Sequence, residues 1–312
     1  KEILLITSPL NFMNEIKKEL LSNYSLIYSP YASKKQTIEI FKKYKISKWI
    51  CSPSPKYSID LQILKFAKSL KIISTPSTGK NHIDERYCLK NKILIKTLQK
   101  TSFVKKIYAS SEYTFALMLA SIRKINSSIN IVKSGHWRDM EQILRSNEIT
   151  NKNIGIVGFG RIGKNISRYL KPFNAKIYIN DIKKPKNIEN IKFINKIKDL
   201  VKLADIIFIC VNLNKSTHQL FDKKVFKYMK NKFLINTSRG EVINETDLIK
   251  AIKAKQIKSY AADVVNNEQG KIEQNKIIKF SKNNDSVIIT PHIAGLTKES
   301  ETKAMQQAII NL

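Results

Sequence analysis

Short apolar runs separated by amphipathic stretches organise this chain from its first residues. Positions 3–6, 26–28, 49–52 and 71–74 read as strands, and 12–21, 37–44 and 59–70, with apolar residues three and four apart, read as helices. Such alternation builds a parallel sheet, because each helix is the crossover that carries the chain back to start the next strand. The segment 111–125 places Phe115, Leu117, Met118, Ile122 and Ile125 at helical spacing and predicts a long helix leading to a second lobe. From Asn153 the alternation restarts, with strands expected at 154–157, 177–180, 206–211, 233–236, 259–263 and 287–290. Strands this continuously apolar are buried on both faces, which is the doubly wound arrangement.

Length supports two lobes, since 312 residues exceed what one hydrophobic core usually organises. No apolar stretch is long enough to span a bilayer, so no membrane association is expected. The opening run Lys1 to Thr7 is too short for the apolar region of a signal peptide, so it is read as a first strand and a cytoplasmic location is expected. Cys51, Cys88 and Cys210 lie far apart without a CxxC spacing, so neither a metal site nor a disulfide framework is expected. The formal charge of +31 raises the question of a nucleic-acid partner. The lysines, however, are scattered through every segment alongside abundant Asn and Ile while arginine is scarce, the signature of A/T-rich codon usage. No specific nucleic-acid face is expected, and a small anionic substrate suits the charge equally well.

Candidate chemistry concentrates in the second lobe. The strand at 154–157 runs into Gly158-Phe159-Gly160-Arg161-Ile162-Gly163 with helical residues directly after, which is GxGxxG in the context where it binds a dinucleotide. Gly158 permits the tight turn, Gly160 lets backbone approach a pyrophosphate, and Gly163 lets helix pack on strand, while the helix N-terminus offers N–H groups to the anion. Asp181, at the end of the next strand, is positioned to accept hydrogen bonds from the adenosine ribose and to repel a 2′-phosphate, which favours NAD over NADP. Lys183 and Lys184 just beyond it act in the opposite direction.

Three more segments sit at C-terminal strand ends, where open α/β sheets bind their ligands: Asn236-Thr237-Ser238-Arg239-Gly240, then Ala261-Ala262-Asp263-Val264-Val265-Asn266-Asn267-Glu268, then Thr290-Pro291-His292-Ile293-Ala294-Gly295. Taken with the glycine loop and Asp181, these resemble the D-isomer-specific 2-hydroxyacid dehydrogenases, a family that includes phosphoglycerate, glycerate and D-lactate dehydrogenases. Ser111-Glu112, Trp137 and the segment Ser77-Thr78-Gly79-Lys80-Asn81-His82-Ile83-Asp84 extend the resemblance over nearly the whole chain. It implies a Rossmann NAD-binding lobe (101–289) inserted into a flavodoxin-like substrate lobe (1–100 and 290–312), and a homodimer formed around the crossover helices and Trp137.

By the same resemblance the catalytic set is Arg239, gripping the carboxylate and carbonyl of a 2-oxo acid, His292 as acid/base, and Glu268 as its partner. A permanently charged, forked guanidinium suits that grip, and histidine titrates close enough to neutrality to work in both directions. Ser77, Thr78 and Gly79 are expected at the substrate carboxylate. Arg161, Ile162, Cys210, Val211, Asn212 and Thr217 are expected around the cofactor, as are Thr237, Ser238, His292 and Gly295. Asp263 is expected either at the nicotinamide amide or as a brace for its loop. The chain departs from the family pattern at Gln269, where a proline is usual, at Asn266-Asn267, which imply a differently shaped loop, and at Cys210 and Asn212. Residues 289–291 ahead of His292 lack the glutamine of formate enzymes. Specificity is expected from Pro53, Ser54, residues 78–82 and 98–101, with Lys56, Lys80 and Lys100 keeping a phosphorylated acid open. No regulatory domain is expected after the core, and the closing helix is expected to be short. The same fold also serves dinucleotide-sensing corepressors, so a binding protein without turnover is the alternative reading.

Overall fold

A computed structural model describes residues 1–99, 103–185 and 190–312. Lys100 and Thr101, expected near the substrate, lie outside the described residues. The chain forms two compact units: Lys1–Ile107 with Leu296–Leu312, and Tyr108–Gly295, so the second interrupts the chain of the first. Their edges fall a few residues beyond the expected crossings near 101 and 290.

The first unit holds five parallel strands, β1 (Ile3–Ile6), β2 (Ser25–Tyr28), β3 (Lys48–Ile50), β4 (Ile72–Ser74) and β5 (Leu94–Lys96), in the order β2-β1-β3-β4-β5. This is the flavodoxin-like order. Strand periodicity sorts its side chains between two cores: Leu5 and Trp49 pack with Ile63 and Ile73 on one face, and Leu4, Ile6 and Ile50 pack with Leu20 and Met305 on the other. Full burial of such side chains contributes roughly 1.5–3 kcal/mol each. Met305 belongs to the helix Lys298–Ile310, which is 13 residues long and therefore not the short closing helix expected. Ser74 Oγ donates to the Ala308 carbonyl at 2.8 Å, fixing that helix to the sheet.

The second unit holds seven parallel strands: β6 (Asn153–Val157), β7 (Lys176–Asn180), β8 (Ile191–Phe193), β9 (Ile206–Ile209), β10 (Lys232–Asn236), β11 (Ile257–Ala262) and β12 (Val287–Ile289). Their order is β12-β11-β10-β9-β6-β7-β8. The order reverses direction between β6 and β9, creating the crevice where doubly wound sheets take ligands. Again alternate residues divide: Ile154, Ile156, Ile206 and Phe208 face one core, Val157, Ile207 and Ile209 the other. Gly155 is forced on β6, since a Cβ there would lie 2.5 Å from Leu200 Cδ2.

Two helix expectations need correction. Residues 59–70 form only the short helix Leu61–Leu64, because Ile59 is held in a bridge to Ile83, Asp60 caps the turn, and the chain then continues through tighter three-residue turns. The long helix ends at Ile122 rather than 125, because Lys124 turns left-handed (φ 52°) and starts a new helix, Ile125–Lys133. Among the described residues no helix is long and apolar enough to cross a membrane.

Candidate active site

Strand β6 ends at Val157, and Gly158 follows with φ +93°, a left-handed turn that only glycine takes without strain. A Cβ on Gly158 would also stand 2.6 Å from the Cys210 carbonyl oxygen, and one on Gly163 would stand 2.4 Å from the Gly158 carbonyl oxygen. These two glycines are closed in. Gly160 is the opposite case, because a Cβ there would meet nothing within 4 Å. It opens the helix Arg161–Leu170, whose N-terminus has no side-chain cap. An α-helix leaves its first N–H groups without partners inside the helix, so this loop presents bare backbone and a positive dipole end to open space. The residues present therefore fit the pyrophosphate of a dinucleotide. Burial depresses the Arg161 guanidinium at the same turn.

Asp181 Oδ2 accepts from the Phe159 N–H at 2.6 Å, and its Oδ1 accepts from the Lys183 N–H at 3.2 Å. The carboxylate thus braces the glycine loop. With about four lone-pair sites a carboxylate retains capacity for further donors.

Beyond β10, buried Asn236 organises the arginine loop. Its Oδ1 accepts from the Ser238 N–H (3.0 Å) and hydroxyl (2.9 Å), and its Nδ2 donates to the Arg239 carbonyl (3.0 Å). Arg239 Nη1 donates to the Ser238 carbonyl at 2.6 Å, and among the described residues no carboxylate pairs with this guanidinium. Gly240 then passes so close to the next loop that a Cβ would lie 2.0 Å from the Val265 carbonyl carbon. The missing side chain is what brings the Arg239 loop against the loop carrying Glu268.

His292 Nδ1 donates to Glu268 Oε2 at 2.6 Å, and both side chains are about one-third exposed. Glu268 Oε1 accepts from the Val265 N–H at 3.2 Å, which orients the carboxylate. His292 has φ +57°, a conformation uncommon outside glycine and asparagine. Asp263, 1% exposed, holds that turn: it accepts from the Thr290 hydroxyl (2.6 Å), the Ile293 N–H (3.0 Å) and the Ala294 N–H (2.7 Å). Of its two expected roles, the loop brace is the one its contacts display.

Other expected residues have partners within the protein. The Thr217 hydroxyl donates to the Asn212 carbonyl at 2.6 Å and closes its own loop, and the Thr237 hydroxyl bonds that of Thr114 at 2.6 Å. Burial pushes the Cys210 thiol up to about 12. In the first unit Ser77 Oγ donates to the Gly79 carbonyl at 2.7 Å, so the 77–79 turn is internally braced, while the Lys80 ammonium is paired with Glu85. Sequence reasoning missed Glu241, Glu245 and Asn275 among the residues that fix the loops, and named Asn236 without giving it a role. Only the helix-opening pattern Asn244-Glu245 was available as a signal, and it spoke for a cap rather than for a brace.

The family described as D-isomer specific 2-hydroxyacid dehydrogenase, NAD binding domain, matches residues 115–294. The chain is 34% identical over 262 residues to a glyoxylate reductase of Thermofilum pendens, covering 81% of this chain and 74% of that protein. It is 32% identical over 263 residues to a glyoxylate reductase of Thermococcus litoralis, covering 81% and 76%. A crystal structure of D-lactate dehydrogenase from Aquifex aeolicus, complexed with NAD and lactic acid, superposes with a TM-score of 0.83 at 26% identity, covering 99% of this chain and 95% of the other.

Proposed function

The chain belongs to the D-isomer specific 2-hydroxyacid dehydrogenases, NAD-dependent oxidoreductases, and from that premise we propose that Arg239, Glu268 and His292 interconvert a small 2-oxo acid and its D-2-hydroxy acid. The observation that carries this assignment is the 2.6 Å contact from His292 Nδ1 to Glu268 Oε2. Donation from Nδ1 leaves Nε2 as the nitrogen that exchanges a proton with substrate.

When bound, NADH supplies the hydride that adds to the 2-oxo carbon. His292 delivers a proton from Nε2 to the carbonyl oxygen, and takes it back in the reverse direction. Arg239 spends one N–H on the Ser238 carbonyl and directs its remaining donors to the substrate, where a fork can hold a carboxylate and polarise the neighbouring carbonyl. Gly158, Gly160, Gly163 and Asp181 hold the dinucleotide, and Ser77, Thr78 and Gly79 offer backbone N–H groups to the substrate carboxylate.

The similarity to two glyoxylate reductases makes glyoxylate the first substrate to test. Pairing of Lys80 with Glu85 argues for an unphosphorylated acid. We also assign the apolar stripe of Ile125, Ile129 and Val132, each about half exposed, with exposed Trp137 nearby in sequence, to the contact with a second copy. Three free thiols suit a reducing cytoplasm.

The test is NADH oxidation against glyoxylate, hydroxypyruvate, pyruvate and 3-phosphohydroxypyruvate, with His292→Ala in parallel. Turnover of at least one acid, lost in the variant, is expected. Tight NADH binding with no turnover of any acid would overturn the assignment in favour of a dinucleotide-sensing protein.

A further inference from the structure

Glu268 stands on a loop with little regular structure between β11 and the helix Lys276–Ser281, yet its carboxylate meets His292 at 2.6 Å. Something must fix that loop, and the neighbouring backbone supplies only part of the answer through the Gly240 contact. Glu245, at the start of the helix Glu245–Lys253, is 8% exposed and has no lysine or arginine within ion-pair distance among the described residues. Its Oε1 accepts from the Asn266 N–H at 2.8 Å, and Asn275 Nδ2 lies 3.3 Å from Oε1 and 3.2 Å from Oε2. The same Asn275 amide donates to the Asn266 carbonyl at 3.0 Å, while its Oδ1 caps the helix that follows by accepting from Ile277 and Ile278. One residue further on, the Asn267 N–H donates to Glu241 Oε1 at 3.2 Å.

Both ends of the loop are therefore tied to carboxylates from the segment that follows Arg239. Asn266 itself keeps Oδ1 buried without a partner among the described residues, so its main chain, more than its side chain, is what the site grips. A polar cleft of about 380 Å³, lined by Glu245, Asn266, Asn275, Lys271 and Lys276 among others, lies alongside, while Val265 and Ile277 beside these bonds are buried in the apolar core. Burial raises the Glu245 carboxyl and Glu241 adds to the rise, while the Asn266 N–H and the Asn275 amide favour its ionised form.

We propose that Glu245 is a positioning residue for the reaction: as an acceptor-only group facing donors from Asn266 and Asn275, it clamps the loop so that Glu268 stays against His292. This rests on the reading of Glu268 and His292 as a working pair. The clamp needs a carboxylate. In Glu245→Gln one oxygen becomes an NH₂ facing the Asn275 NH₂, so one of the bonds becomes a clash of donors.

The readout is the downfield proton resonance of a short, charge-assisted His292 Nδ1–H···Glu268 bond, followed by NMR in the full-length protein. It is identified by its loss in His292→Gln and in Glu268→Gln. Glu245→Gln is expected to broaden or abolish it and to lower kcat on glyoxylate about tenfold while NADH binding stays within about twofold. Glu241→Ala, which frees only the Asn267 N–H, should give a smaller loss of signal and serves where Glu245→Gln fails to fold. An unchanged resonance in a folded Glu245→Gln would overturn the positioning role while leaving the pair intact. Absence from the wild-type protein of any resonance removed by both His292→Gln and Glu268→Gln would overturn the pair, and the clamp with it.

Discussion

Gly240→Ala tests whether the close passage of two loops assembles the active site. The added Cβ would sit 2.0 Å from the Val265 carbonyl carbon, 2.1 Å from its oxygen and 2.4 Å from the Asn266 nitrogen. All three are backbone atoms, so no flexible side chain can swing away. Carbon atoms settle at about 3.5 Å or more, so the loops must part by about 1.5 Å. Strands β10 and β11 cannot supply that movement, because their parallel register, Asn236 opposite Ala262, runs to the end of both. Displacement falls on residues 237–241 and 263–268, which carry Arg239 and Glu268. Gly240 does not need a left-handed backbone, so alanine carries no conformational penalty and the effect is steric alone. A misplacement near 1 Å in a catalytic constellation costs roughly 100-fold in rate, and overpacking of this kind costs about 1–3 kcal/mol of stability. Steady-state kinetics on glyoxylate, or on the best 2-oxo acid found, should show kcat/KM down about 100-fold. A Gly240→Ala protein that melts below wild type yet keeps kcat/KM within about threefold would refute the reasoning, since the loops would then have parted without consequence.

Gly160→Ala should fold as wild type, because its Cβ meets no protein atom within 4 Å, but should weaken NADH binding about tenfold or more by filling the anion's approach; fluorescence titration and a thermal melt check both halves. Asp263→Asn replaces an acceptor for three donors with an amide that must turn an N–H toward one of them, and should cost about 1–3 kcal/mol and lower kcat through the turn that holds His292; equal stability by urea unfolding would sink this. Burial raises the Glu245 carboxyl, so the folded chain binds this proton more tightly than the unfolded one. Its contribution favours folding at pH below the ordinary glutamate range and is lost as pH rises through the raised value, whereas Glu245→Gln has no proton to lose. Melting temperatures across that window should therefore rise on acidification in the wild type relative to Glu245→Gln, and parallel curves would contradict the burial argument.

Most of the fold was legible because each strand of a doubly wound sheet is an apolar run and each crossover an amphipathic one, and both signals are local. Strands β5 and β8 carried less of it, being three-residue edge strands with exposed or half-buried side chains, Leu94 and Lys96 among them. The helix expected at 59–70 failed for a non-local reason: its first residue is paired to Ile83, a partner that no window around position 59 contains. Likewise the helix expected to run to 125 breaks at Lys124, where nothing in the residue type demands a left-handed turn.

At the site, the residues the sequence singles out are those whose chemistry is their own: a glycine where backbone is bare, a forked guanidinium, an imidazole. What could not be read were residues that act by accepting a neighbour's N–H. Asn236, Glu245 and Asn275 lie 9, 30 and 39 positions from one another, yet they meet the arginine and glutamate loops from three separate elements. Asp263 shows the same division in one side chain, since its place in the sequence allowed either a ligand contact or a brace, and its three donors display only the brace. The consequence is physical rather than a matter of method. A reacting group must point at substrate and so tolerates few residue types, whereas a brace needs only an acceptor at the right point in space, which any of several side chains on several elements can supply. In this chain the bracing carboxylates come from the segment directly after Arg239, so the Arg239 loop and the Glu268 loop are fixed to one another. Motion in either is then transmitted to both, and that coupling is what the variants at Gly240 and Glu245 measure.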